Sequence, residues 1–133
     1  MANIAFMFPG QGSQLVGMGE DFYQQFPESK QIFDTADEIL NFKFSDLIFK
    51  GTKEEIQNTA NAQPALLTTS IAILQVLKKQ GITPSVCAGH SLGEFTAYVA
   101  SEGMTFEHGL KTVRKRGELM ANADPEGKGT MAA

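Results

Sequence analysis

Residues Gly89-His90-Ser91-Leu92-Gly93 constrain this chain more than any other stretch, because they demand a sharp turn between a strand and a helix. The apolar run Ser85-Val86-Cys87-Ala88 precedes the turn, and the helix-compatible run Leu92 to Ala100 follows it. In a Gly-x-Ser-x-Gly turn of this kind the serine takes a strained backbone conformation, and larger flanking residues collide. The turn lifts the hydroxyl clear of the sheet. It also sets it at a helix N-terminus, where unpaired N–H groups and the helix dipole favour developing negative charge. Ser91 is therefore a candidate nucleophile and the Leu92 N–H a candidate oxyanion donor. The five residues alone are a weak signal, and an ordinary Gly/Ser turn stays open as the alternative.

A second apolar run, Ile4 to Phe8, stops at Pro9-Gly10. Uninterrupted apolar runs read as strands buried on both faces, which favours a parallel sheet and an α/β fold with flanking helices. Two parallel strands make a poor sheet alone, so further polypeptide is expected to complete it. If the two strands are neighbours, the loops at their C-terminal ends meet. The loop Gly10-Gln11-Gly12-Ser13-Gln14 would then stand beside Ser91, with the Gln11 N–H as a second oxyanion donor; a turn without a catalytic role is the other reading. A dinucleotide fingerprint is excluded by Leu15 where the third glycine belongs.

Helices are expected over roughly 18–26 and 28–40, with Pro27 as the breaker, and over 44–49. Thr52 and Glu55 have capping-box spacing. Pro64 suits the first turn of a helix running to about Gln80, with Leu67, Ile71, Leu74 and Leu77 as its apolar stripe and Gly81 as its stop. A last helix spans about 106–122. On it, Arg114 and Glu118 are spaced for a surface pair of little energetic value. Arg116, one turn from Leu119 and Met120, leans inward, where a substrate carboxylate could hold it bidentately; a solvated helix face is the alternative.

A serine nucleophile needs a base within hydrogen-bond reach. The two histidines do not supply one. The His90 side chain points away from that of its neighbour Ser91 at such a turn, and His108 falls on a solvated helix face. Cys87 reads as a core thiol. With one cysteine, net charge −4 and no block of like charge, the composition excludes disulfides and points to neither nucleic acid nor membrane as partner. No apolar run is long enough for a signal sequence or a membrane span. A cytoplasmic protein is expected, with no metal and no cofactor.

Taken together, Phe8-Pro9-Gly10-Gln11-Gly12-Ser13-Gln14, Gln63-Pro64-Ala65-Leu66, Gly89-His90-Ser91-Leu92-Gly93-Glu94 and Arg116-Gly117 resemble the malonyl-CoA:acyl carrier protein transacylases of bacterial fatty-acid synthesis, in order and spacing over the whole chain. The resemblance implies an α/β-hydrolase-like acyltransferase core. Ser91 would carry malonyl as an ester, the N–H groups of Gln11 and Leu92 would form the oxyanion hole, Arg116 would bind the malonate carboxylate, and His90 would line the site. Malonyl-CoA and acyl carrier protein are the implied substrate and partner. Family members are about twice this long, with the catalytic histidine and its orienting residue in a later part and a ferredoxin-like subdomain inserted. Residues 1–127 are thus expected to be the N-terminal part of the core and 128–133 the start of that subdomain. The complete enzyme is expected to be a monomer, and the 133 residues alone inactive. A serine esterase or thioesterase with the same turn, or a non-catalytic carrier-protein-binding fragment, are the alternatives.

Overall fold

In the computed structural model, which describes residues 3–130 and residue 132, the two apolar runs are the strands β1 (Ala5–Phe8) and β2 (Val86–Gly89). They pair in parallel, Ala5 opposite Val86 and Phe8 opposite Gly89. Between them come α1 (Glu20–Gln25), α2 (Pro27–Leu40), α3 (Phe44–Lys50), α4 (Lys53–Gln57) and α5 (Thr59–Lys79); after β2 come α6 (Leu92–Ala100) and α7 (Phe106–Ala121). This is the α/β arrangement expected from the sequence. The strands differ from expectation in one respect. Phe8 is buried and Phe6 and Cys87 pack against the core, but on the opposite face Met7 is 84% and Val86 57% exposed. Among the described residues, helices cover only one face of the sheet.

Local signals set most helix ends. Thr52 Oγ1 accepts from Glu55 N at 3.1 Å while the Glu55 carboxylate accepts from Thr52 N at 2.7 Å, the reciprocal cap the spacing implies. Gly81, with φ of +78°, follows the end of α5 where only a residue free of Cβ strain fits easily. Pro27 is not a gap between helices; it opens α2 at its first position, where its missing N–H costs nothing. Of the expected subdomain start at 128–133, residues 128–130 have no regular structure, and Met131 and Ala133 lie outside the described residues.

The central element is α5. Of the expected stripe, Leu67, Ile71 and Leu74 are buried and Leu77 is half-buried, and the helix packs against α2, α6 and α7. With Phe33, Leu92, Leu110 and Val113 they form one core, each large side chain contributing about 1.5–3 kcal/mol by leaving water. Pro64 corrects the sequence reading. The helix starts at Thr59, capped by Asn58 Oδ1 accepting from Ala60 N at 3.0 Å, so the proline sits inside it. A proline there offers no N–H to the carbonyl four residues back, which is that of Ala60. Arg114 makes up the loss: its Nη1 donates to the Ala60 carbonyl at 3.0 Å and to Asn61 Oδ1 at 2.7 Å. The Arg114–Glu118 pair is present at 3.1 Å, but Arg114 is half-buried and its main work is to tie α7 to the start of α5.

Arg114→Met leaves the Ala60 carbonyl without its donor and should lower the unfolding free energy by about 1–3 kcal/mol. In a Pro64→Ala background the restored N–H at position 64 can take that carbonyl, so the loss should shrink. Thermal melts of the four proteins measure the coupling; equal losses in both backgrounds would count against the assignment.

Candidate functional site

The two strands run the same way, so the loops leaving them lie side by side. His90 N donates to the Phe8 carbonyl at 3.2 Å, carrying the ladder into both turns. Gly93 N then donates to the His90 carbonyl at 2.8 Å and Glu94 N to the Ser91 carbonyl at 3.1 Å, so the turn passes directly into α6. The chain is tightly folded here. A Cβ on Gly89 would fall 1.9 Å from the Gly93 carbonyl oxygen, and one on Gly93 would fall 2.2 Å from that of Phe8. Those contacts leave no room for a side chain at position 89 or 93.

Ser91 itself has φ of +51° and ψ of −111°, a conformation that strains any residue with a Cβ by about 1–3 kcal/mol. Its side chain makes no capping bond to α6. The residue is exposed, while Leu92 after it is fully buried. The buried leucine anchors the first turn of α6, and the serine is held out beyond it. Among the described residues the N–H groups of Leu92 and of Gln11 donate to no backbone or side-chain acceptor. Gln11 lies on the exposed loop after β1, and its side-chain Nε2 donates to Thr59 Oγ1 at 3.0 Å, fastening that loop to the first residue of α5.

Arg116 reaches the serine from α7. Its Nη2 donates to Ser91 Oγ at 3.1 Å, and its Nη1 donates to Gln63 Oε1 at 2.7 Å. The guanidinium lies 5.4 Å from the centre of the Phe95 ring, within cation–π range. Arg116 thus leans inward as its helical position implies. Among the described residues it pairs with no carboxylate. A groove of about 610 Å³ adjoins it, lined by Phe95, Lys111, Lys115, Leu119 and Met120. A half-buried cation with an open coordination side, next to a hydroxyl at a helix N-terminus, can hold an anionic group against that hydroxyl.

The remaining residues fall into place around this pair. His90 is exposed, and its Nδ1 lies against Gly10 of the neighbouring loop. His108 is exposed in the first turn of α7. Among the described residues no histidine side chain hydrogen-bonds to Ser91, and no group of three His, Cys, Asp or Glu side chains could hold a metal ion. Cys87 packs against the core, where burial pushes its thiol above the ordinary range despite the opposing pull of Lys78. Two site residues were not assigned from the sequence, Gln63 and Phe95. The signal for Gln63 was a lone amide within the apolar stretch Ala62 to Leu67.

The acyl transferase domain model matches residues 5–133. The malonyl CoA-acyl carrier protein transacylase of Bacillus subtilis (strain 168) is 58% identical over 133 residues, all of this chain and 42% of that protein. The enzyme of the same name from Staphylococcus aureus (strain MRSA252) is 44% identical and also matched over 42% of its length. Among solved structures, the Clostridium perfringens malonyl CoA-acyl carrier protein transacylase superposes with a TM-score of 0.90 at 41% identity, covering 95% of this chain and 40% of that one. A malonyl-transacylase in complex with a type II PKS acyl-carrier protein superposes with a TM-score of 0.89 at 42% identity, covering 95% of this chain and 41% of that one. The chain therefore spans about two fifths of the length of these relatives.

The strain at Ser91 has a measurable consequence. Ser91→Ala and Ser91→Gly both remove the acceptor of Arg116 Nη2, but only glycine also relieves the strain of the positive φ, so Ser91→Gly should be the more stable of the two by about 1 kcal/mol. A lower melting temperature for Ser91→Gly than for Ser91→Ala would contradict the strained turn.

Proposed function

The chain belongs to the acyl transferase domain family, and from that premise we propose that it carries the nucleophile and the carboxylate anchor of a malonyl-CoA:acyl carrier protein transacylase acting in fatty-acid synthesis. The observation that carries the reading is the Arg116–Ser91 contact at 3.1 Å, made by a guanidinium with no carboxylate partner among the described residues.

Malonyl differs from acetyl by one carboxylate, which Arg116 would hold by charge-assisted hydrogen bonds. With that end held, the thioester carbonyl lies over Ser91. Ser91 Oγ attacks the carbonyl carbon and loses its proton to a general base, the carbonyl oxygen becoming an oxyanion that the Gln11 and Leu92 N–H groups stabilise. The carbon–sulfur bond then breaks, CoA leaves as its thiol with the proton returned by the base, and a malonyl-Ser91 ester remains. The phosphopantetheine thiol of acyl carrier protein attacks that ester in turn, and Ser91 recovers its proton. The base is taken to be a histidine of the enzyme outside these 133 residues, with His90 lining the site. On this reading the 133 residues are the N-terminal part of the core, with 128–133 leading into an inserted ferredoxin-like subdomain. The complete enzyme is a cytoplasmic monomer. Among the described residues no helix is long and apolar enough to cross a membrane.

Intact-mass measurement of the complete enzyme with malonyl-CoA should show a malonyl adduct. It should be lost in Ser91→Ala and should discharge to the carrier-protein thiol. Free malonate as the main product would instead favour a thioesterase, and carrier-protein binding without any Ser91 adduct a non-catalytic module. Arg116→Ala should reduce malonyl transfer by about 100-fold, the worth of a charge-assisted contact, and acetyl transfer far less. Equal losses for the two acyl groups would remove Arg116 from its assigned role.

A further inference from the structure

Gln63 is fully buried in the apolar body of α5. A buried amide is costly unless its polar atoms find partners, and both of its partners are on α7. Oε1 accepts from Arg116 Nη1 at 2.7 Å, and Nε2 donates to Met120 Sδ at 3.2 Å. The other terminal nitrogen of the same guanidinium, Nη2, is the one bonded to Ser91 Oγ. The chemistry of this acceptor matters. A buried Asp or Glu at position 63 would compensate the charge of Arg116, whereas an amide oxygen orients the guanidinium and leaves its charge available.

We propose that Gln63 is a positioning residue that pins Arg116 by Nη1, so that Nη2 passes between two acceptors: the Ser91 hydroxyl in the free protein and the substrate carboxylate in the loaded one. This deepens the transacylase reading above and rests on it. While Nη2 donates to Ser91 Oγ, it draws electron density from the lone pairs that must attack. An arriving carboxylate is a stronger acceptor than a neutral hydroxyl, takes Nη2, and frees Oγ. An acyl group without a carboxylate leaves the Arg116–Ser91 bond in place. Selection for malonyl then has two parts, attraction of the carboxylate and release of the nucleophile, and both depend on Gln63 keeping the guanidinium in one orientation.

The test uses the complete enzyme and measures serine acylation by malonyl-CoA and by acetyl-CoA. Gln63→Met keeps length and burial but removes the acceptor. It should lower the malonyl-over-acetyl preference by about tenfold, mainly through a higher malonyl KM. Gln63→Glu keeps size and acceptor but compensates the charge. Its malonyl preference should be low at neutral pH and recover as the pH falls and the introduced carboxylate is protonated, a response that a role in packing alone would not give. A malonyl preference unchanged in Gln63→Met, equal losses for both acyl groups, or a Gln63→Glu preference that does not respond to pH overturns the proposal. If Gln63→Met fails to fold, the pH response of Gln63→Glu decides. An unsubstituted enzyme that forms no malonyl ester overturns the transacylase reading and this one with it, whereas an ester with unchanged preferences overturns this one alone.

Discussion

The close approach of α7 to the first turns of α5 underlies both the fold and the site. Gly117 is buried at the crossing, against the backbone of Thr59 and Ala60, so no side chain holds the two helices apart. That approach lets two arginines on α7 reach α5 within one turn of each other. Arg114 donates to Ala60 and Asn61, Arg116 to Gln63. The first bond supplies a donor that Pro64 removed, and the second aims a cation at Ser91. Stability and chemistry thus share one contact surface. A larger residue at 117 would strain both at once, because interiors packed to crystal-like density do not yield locally.

The turn at Ser91 is the second constraint, and it works against the first in energy. The crossing stabilises; the turn stores strain. It persists because the surroundings over-determine it: β2 is held in register with β1, Leu92 is locked in the core, and Gly93 is pressed against Phe8. A rigid turn meets a rigid helix at a single point, Ser91 Oγ. On the proposed reading, little reorganisation would then be needed when charge develops there, which is the condition under which fixed donors are most effective.

Features coded by neighbours in the chain were legible in the sequence. The two strands, the glycine-flanked turn, the Thr52 cap and the stop at Gly81 all follow from residues within a few positions of one another. Arg116 was half legible: its place one turn from Leu119 and Met120 implied an inward lean. Its partner Gln63 lies 53 residues away, and no local pattern links them. The start of α5 is not legible locally, because proline is a good first-turn residue and points to a start near position 64. The long-range donor from Arg114 and the cap from Asn58 outweighed that preference and extended the helix ahead of it. The strands misled for a related reason. An unbroken apolar run states that both faces avoid water, but not what covers each of them, and the described residues cover one.

Why an arginine at 116 and not a lysine follows from the same geometry. A lysine ammonium is a point charge on a flexible stem, and could sit near Ser91 without any fixed direction. The planar guanidinium gives Gln63 one nitrogen and Ser91 the other, while its face stays over Phe95. Two of the three contacts each remove a different freedom, the amide fixing one end and the ring the plane, and on the proposed reading the third, to the hydroxyl, is the one that exchanges. On the proposed reading, a substrate carboxylate then meets a cation whose orientation was set during folding, and spends little of its binding energy on ordering it. If that reading holds, discrimination between acyl groups that differ by one carboxylate would rest not on the charge of Arg116 alone but also on the buried neutral amide that holds it.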